Sequence, residues 1–236
     1  MRRGRTGFAL LLAALAIAFA GLVSLGIWQV HRLHWKEALI TRVDSRVAAP
    51  PSPAPGPANW PEVDRQSAEY RHVRLTGHFR EGADTLVLAV TDLGSGFWVL
   101  TPFDTQRGFT VLVNRGYIDQ QRQVATPKGE RTVTGLLRVS EPGGGFLRSN
   151  KPNENRWYSR DVAAIAAAHG LNDVAPYFVD ADRDQEKGAT APVGGLTVIA
   201  FPNNHLGYAI TWFALAAMTV FAAAMLIRER VRSQKA

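Results

Sequence analysis

The chain has 236 residues, 46% of them hydrophobic, a formal net charge of +7 and no cysteine, which excludes a disulfide framework, a Cys-x-x-Cys redox or haem-attachment motif and any thiolate metal site. Methionine occurs only at Met1, Met218 and Met225, so no soft copper site of thioethers can be assembled in the middle of the chain. The basicity excludes nucleic acid rather than suggesting it: residues 1–30 carry +3 and residues 207–236 carry +3, four basic residues less Glu229, leaving +1 for everything between.

The first element is an apolar run, Phe8 to Val30, with no charge over 23 residues. At about 1.5 Å per residue it makes roughly 34 Å of helix, enough to cross a hydrocarbon core of about 30 Å. Arg2, Arg3 and Arg5 precede it. The same pattern fits a cleaved signal peptide with Ala18-Phe19-Ala20 as its cleavage site, but the apolar run continues ten residues past Ala20, as a retained anchor does. At the other end a second run, Gly207 to Ile227, is followed by Arg228, Arg230, Arg232 and Lys235. The positive-inside rule then predicts cytoplasmic tails at 1–7 and 228–236, membrane helices at 8–30 and 207–227, and an extracytoplasmic domain over 31–206.

That domain is predicted to open with a helical continuation from His31 to about Val47. A linker follows, Ala48 to Asn59, in a stretch with six prolines between Pro50 and Pro61, whose composition favours an extended, semi-rigid spacer. Val73, Leu75, Gly77 and Phe79 then alternate with Arg74, Thr76, His78 and Arg80, the period-2 pattern of a half-buried strand. Further strands are predicted at Thr85–Val90, Phe97–Phe103, Phe109–Asn114, Val133–Val139, Tyr177–Asp180 and Leu196–Ala200, with Gly, Pro, Asn and Asp between them. One helix interrupts them, about Asp161 to His169, capped by Asp161 or Ser159 and stopped by Gly170. The fold class is therefore an α+β membrane protein, two transmembrane helices flanking an antiparallel β-barrel or sandwich that carries one or two helices.

No catalytic constellation is present in the sequence. There is no Gly-x-Ser-x-Gly and no His-Glu-x-x-His, and neither Gly143-Gly144-Gly145 nor Gly194-Gly195 leads into the Lys-Ser/Thr of a phosphate loop. His72 and His78 share a strand face with Arg74 and Arg80, which reads as a solvated face rather than a metal pair. Asp180, Asp182 and Asp184 lack the Gly and terminal Glu of a calcium loop.

The informative residues crowd the outer ends of the two apolar runs. Trp28, Arg32 and Trp35 are spaced i, i+4, i+7 and share a helix face, with Gln29 and Lys36 on a neighbouring polar stripe. His205, Tyr208, Ala209 and Trp212 share a face in the same way. An aromatic belt with snorkelling cations accounts for the Trp, Tyr and Arg residues singly. His205 is different, because an imidazole opening a spanning helix beside Asn203 and Asn204 is placed to meet a haem iron or a partner carboxylate.

Four segments in this order resemble a known family: Leu25-Gly26-Ile27-Trp28-Gln29 with Arg32, Trp35-Lys36 and Leu39-Ile40; Val113-Asn114-Arg115-Gly116-Tyr117-Ile118; Trp157-Tyr158 with Asp161; and Pro202-Asn203-Asn204-His205-Leu206 with Tyr208-Ala209 and Thr211-Trp212-Phe213. They look like the surfeit-locus cytochrome oxidase assembly family and span nearly the whole chain. Tyr117 stands where that family usually has Trp, and the Pro-rich linker is longer than usual. The resemblance implies a non-enzymatic factor in a bacterial inner (plasma) membrane, its central domain periplasmic, that helps insert haem a into subunit I of a haem-copper terminal oxidase and works near haem A synthase. It also implies His205 as the ligand to haem iron. On that reading Trp28, Trp212 and Tyr208 would flank the macrocycle, Arg32, Lys36 or Arg115 would meet its propionates, and Ala14, Ala16, Ala18 and Ala20 would let the first helix approach the second or an oxidase helix. The competing reading is a structural chaperone of an oxidase subunit that binds no haem.

Overall fold

The computed structural model describes residues 2–145, 147–183, 185, 186, 188 and 191–233, with side chains from Thr6 onward. The side chains of Arg2, Arg3 and Arg5, and the residues Asp184 and Lys235, lie outside that description. The chain divides into two compact units, a helix pair over 1–42 with 200–236, and a β domain over 43–199.

In the helix pair, α1 (Arg2–Ala48) runs unbroken from the apolar segment through the predicted continuation, and α3 (His205–Ser233) contains the second apolar segment. No Gly-Pro or Pro interrupts either, and both are long and apolar enough to cross a membrane. The two helices run antiparallel, because contacts step along them in opposite directions: Arg230 stacks over Phe8, Phe213 lies against Gly26, and His205 meets Gln29. Small residues make the approach possible. A Cβ on Gly26 would lie 2.6 Å from the Phe213 ring, and Ala209 and Ala216 are buried. The predicted alanines do not serve here, since Ala14, Ala16, Ala18 and Ala20 are all exposed; two-residue spacing walks around a helix instead of marking one face.

The β domain is a closed barrel with additions. Seven strands, β1 (Ser52–Pro53), β2 (His72–Phe79), β3 (Thr85–Thr91), β4 (Gly94–Thr105), β5 (Thr110–Ile118), β6 (Arg131–Val139) and β7 (Val174–Ala181), pair in the order β1-β2-β6-β7-β5-β4-β3. Strand β4 is twelve residues long and divides one edge between two neighbours: residues 94–100 pair with β3, and 103–105 pair with β2. The second pairing closes the ring β2-β6-β7-β5-β4 and leaves β1 and β3 paired along its outside. Neighbours are antiparallel except β5 with β7 and β1 with β2. The chain reaches β7 through the short helix α2 (Val162–Ala168), whose Asp161 accepts a hydrogen bond from the Ala164 amide, the cap expected from sequence.

The barrel interior holds Val73, Leu75, Phe79, Phe103, Val111, Val113, Leu137, Tyr177 and Val179. A second cluster lies outside the wall, where Ile165, Val162 and Trp157 cover Val87, Leu100, Leu112 and Phe178. Strand β5 is therefore buried at every position from Thr110 to Ile118, which is why its sequence does not alternate cleanly.

Two expectations fail. The Pro-rich stretch is no free spacer: Ser52 and Pro53 pair in parallel with β2, Ala54, Pro55 and Gly56 are buried, and the Pro55 carbonyl accepts from Tyr177 Oη at 2.6 Å and Trp60 Nε1 at 3.2 Å. Prolines lose little entropy on being held extended, so a stiff segment docks cheaply on a strand edge. Leu196–Ala200 forms no strand; Val193 makes a single bridge to Tyr117, and the chain then passes Asp180, where Thr197 donates to its carboxylate.

Candidate functional site

The helix pair brings together one polar contact of unusual kind. Gln29 is only 8% exposed although its helix is apolar around it, and its Oε1 lies 2.7 Å from His205 Nδ1. An amide oxygen only accepts, so Nδ1 is the donor, and the neutral ring then presents its lone pair at Nε2. The hydroxyls nearby are satisfied differently. Ser24, Thr211 and Thr219 bond to carbonyls of their own helices, at Ala20, Gly207 and Ala216. Just ahead of His205, Asn203 Oδ1 is buried with no hydrogen-bond partner among the described residues.

Helix periodicity decides which predicted residues join this contact. Gly26, Gln29, Leu33 and Lys36 follow the i, i+3, i+4 rule and form the stripe of α1 that carries the Phe213 and His205 contacts. Lys36 Nζ lies 5.2 Å from the Phe201 ring centroid, on the segment that leads into α3. On α3, His205, Ala209, Trp212 and Ala216 form the matching stripe, with Trp212 partly buried. Tyr208 is 57% exposed and stands at the margin.

The Trp28, Arg32, Trp35 stripe is real, with Arg32 stacked 4.2 Å over the Trp35 ring. It lies about a quarter turn away from the Gln29 stripe, and Trp28 and Trp35 are 55% and 53% exposed. The structure thus separates Trp28 and Arg32 from His205, with which the sequence reading had grouped them.

Arg115 belongs to the β domain and is consumed there. Its side chain has no exposure; Nε and Nη2 grip the Glu186 carboxylate at 2.6 and 2.7 Å, Nη2 also donates to the Ala125 carbonyl at 2.5 Å, and Nη1 lies 3.5 Å from Asp84. The guanidinium stacks over Phe79. A propionate cannot use donors already closed in this way, so the expected cofactor contact is replaced by a structural one.

The neighbours of Arg115 are equally occupied. Asn114 Nδ2 donates to Asp180 at 2.7 Å, and Asn114 Oδ1 accepts from the Gly116 amide at 3.2 Å. Gly116 has φ +133, and a Cβ there would lie 2.4 Å from the Val193 carbonyl carbon, so both the backbone conformation and the close approach call for glycine. Asp180 also receives Arg138 at 2.9 Å and Arg160 at 3.2 Å, and these reach on to Glu69 and Glu141. Burial works against the Arg138 charge, but Asp180 and Glu69 outweigh it and raise its pKa. The predicted solvated histidine face splits too: His72 is drawn in between the Ala49 carbonyl and Asp182, whereas His78 stays exposed.

Comparison with known proteins bears on both units. Residues 16–217 match the SURF1 family. The chain belongs to that family. It is similar to surfeit locus protein 1 of Mus musculus, 35% identical over 221 residues that cover 84% of this chain and 69% of the mouse protein. It is likewise similar to surfeit locus protein 1 of Homo sapiens, 33% identical over 220 residues covering 84% and 71%, and to the SURF1-like protein of Drosophila melanogaster, 33% identical over 221 residues covering 84% and 71%. The SURF1 match takes in Gln29, the whole β domain and His205, so the polar contact of the helix pair falls inside it.

Gln29 is the residue that sequence reasoning passed over, as one member of a polar stripe. A signal was available: it is the one amide in the run from Phe8 to Val30, and an amide at that depth must find a partner.

Proposed function

We propose that this SURF1-family chain is a non-enzymatic assembly factor for a haem-copper terminal oxidase, helping haem a reach subunit I and working beside haem A synthase. The family resemblance supplies the process, and the observation that carries the site is His205, held at Nδ1 by a buried Gln29 with Nε2 left to ligate. An imidazole nitrogen with a fixed second hydrogen bond is the donor chemistry that haem iron takes. Bound there, haem would supply an open-faced metal centre and two anionic propionates. Trp212 and the small Ala209 border the same stripe, and Lys36 is the cation placed on the Gln29 side. The orphaned Asn203 Oδ1 is an acceptor suited to a ligand hydroxyl.

The test is absorption spectroscopy of the full chain purified from cells that make haem a. His205→Ala should still insert, because one side chain adds little to an apolar span, but should lose or blue-shift the bound-haem spectrum. Full haem a occupancy in His205→Ala would defeat the ligand role and favour the structural chaperone that holds a subunit without haem.

We also place the chain in a bacterial inner membrane as two spans, with tails 1–7 and 228–236 in the cytoplasm and the β domain in the periplasm. The Arg residues outside each apolar run support this. Export-dependent reporters should be active when fused near Ala54 and silent at both ends. Activity after Ala236 would rule out the two-span arrangement.

A further inference from the structure

We infer that Gln29 is a positioning residue for His205: its amide oxygen selects the Nε2 lone pair as the ligating atom and tunes the ring's strength as a ligand. This rests on the haem reading of His205. The geometry behind it is built across three residues of α1. Gly26 admits the Phe213 ring to a distance that any side chain would forbid, which draws α3 close; one turn on, Gln29 then reaches Nδ1 at 2.7 Å. Ala209, buried at 2% exposure, keeps α3 close to α1 between His205 and Phe213. Gln29 as a residue is only 8% exposed, which strengthens a hydrogen bond made there.

The rival explanation is a clamp, a polar pair that holds two apolar helices in register. The two differ in what they predict at the metal. A clamp fixes only the helices. An acceptor on Nδ1–H also pushes electron density toward Nε2, as partners of metal-bound histidines do, and its loss costs about 10–100-fold in metal affinity.

The experiment uses the full chain purified in detergent from cells making haem a, and compares Gln29→Leu and Gln29→Glu with the unaltered protein. Three quantities are read: haem dissociation rate, haem midpoint potential and the iron–histidine vibration of the ferrous form. Gln29→Leu should lose haem 10–100-fold faster, with a higher potential and a weaker iron–histidine vibration. Gln29→Glu should retain haem, because the acceptor is kept, and should move potential and vibration the opposite way. Because Gln29→Glu preserves the contact, it keeps the test open even if Gln29→Leu fails to insert. Potentials and vibrations unmoved in Gln29→Glu, or in a well-inserted Gln29→Leu, would overturn the positioning role and leave a clamp. His205→Ala separates the two levels: if it keeps haem a, the haem reading fails, whereas if it loses haem a while the Gln29 variants stay unchanged, only the positioning role fails.

Discussion

The two units of this chain use buried polar groups in opposite ways. In the β domain they form closed circuits: Arg115 satisfies Glu186 and Asp84, and Asp180 collects Asn114, Arg138, Arg160 and Thr197. Every group there has its partner inside the domain, and the yield is a defined fold. In the helix pair the circuit stays open: Gln29 holds one nitrogen of His205 and leaves the other, and Asn203 Oδ1 has no partner among the described residues. Closed circuits of this kind specify structure. The segment Asn114 to Tyr117 is therefore tied into the β domain's own network, whereas Gln29 is tied to His205.

The comparison breaks most sharply at Gly116. Glutamate there demands a left-handed backbone of a residue with a Cβ, and that Cβ collides with the Val193 carbonyl rather than with a movable side chain. Gly116→Glu should misfold the β domain and lower the steady-state amount of protein several-fold, measured by quantitative immunoblot of membranes. Normal abundance and melting with failed oxidase assembly would instead make this loop a docking surface. Arg115→Ala comes next. It leaves the half-buried Glu186 without its cation and empties the space a fully buried guanidinium fills, a loss of about 3 kcal/mol in chemical denaturation of the domain. Haem occupancy per folded molecule should not change; a selective loss of haem with stability intact would return Arg115 to the site.

Much of this fold was legible in the chain. The two long apolar helices, the alternation of β2 and the Asp161 cap all express local rules that the sequence states directly. The barrel's closure was not, because it depends on β4 pairing with β2 at only three positions, a non-local fact with no local signature. The predicted strand at Leu196–Ala200 does not form, and Thr197 bonds the Asp180 side chain instead, a contact 17 residues apart with no local signature. At the site, His205 stood out by type and place, and Trp212 shared its face. Trp28 and Arg32 were misassigned because spacing reports which residues share a helix face but not which face meets the neighbour. Arg115 was misassigned because burial of a cation against Glu186, 71 residues away, leaves no trace in either local sequence.

The smallest expected effect sharpens the comparison at His169, which closes α2 and whose Nε2 lies 2.8 Å from the buried Thr85 hydroxyl. Burial holds its pKa below the ordinary histidine value of 6.5, with Asp84 opposing and Arg80 assisting. Since the folded value is depressed, the folded domain takes up its proton at lower pH than the unfolded chain. The stabilising contribution is therefore complete above pH 6.5 and is lost as pH falls toward and through the folded value. Melting of the β domain should drop between pH 7.5 and pH 5.5, and His169→Gln should flatten that drop while costing about 1 kcal/mol at pH 7.5 for the altered Thr85 contact. An equal drop in His169→Gln would assign the pH dependence elsewhere in the β domain.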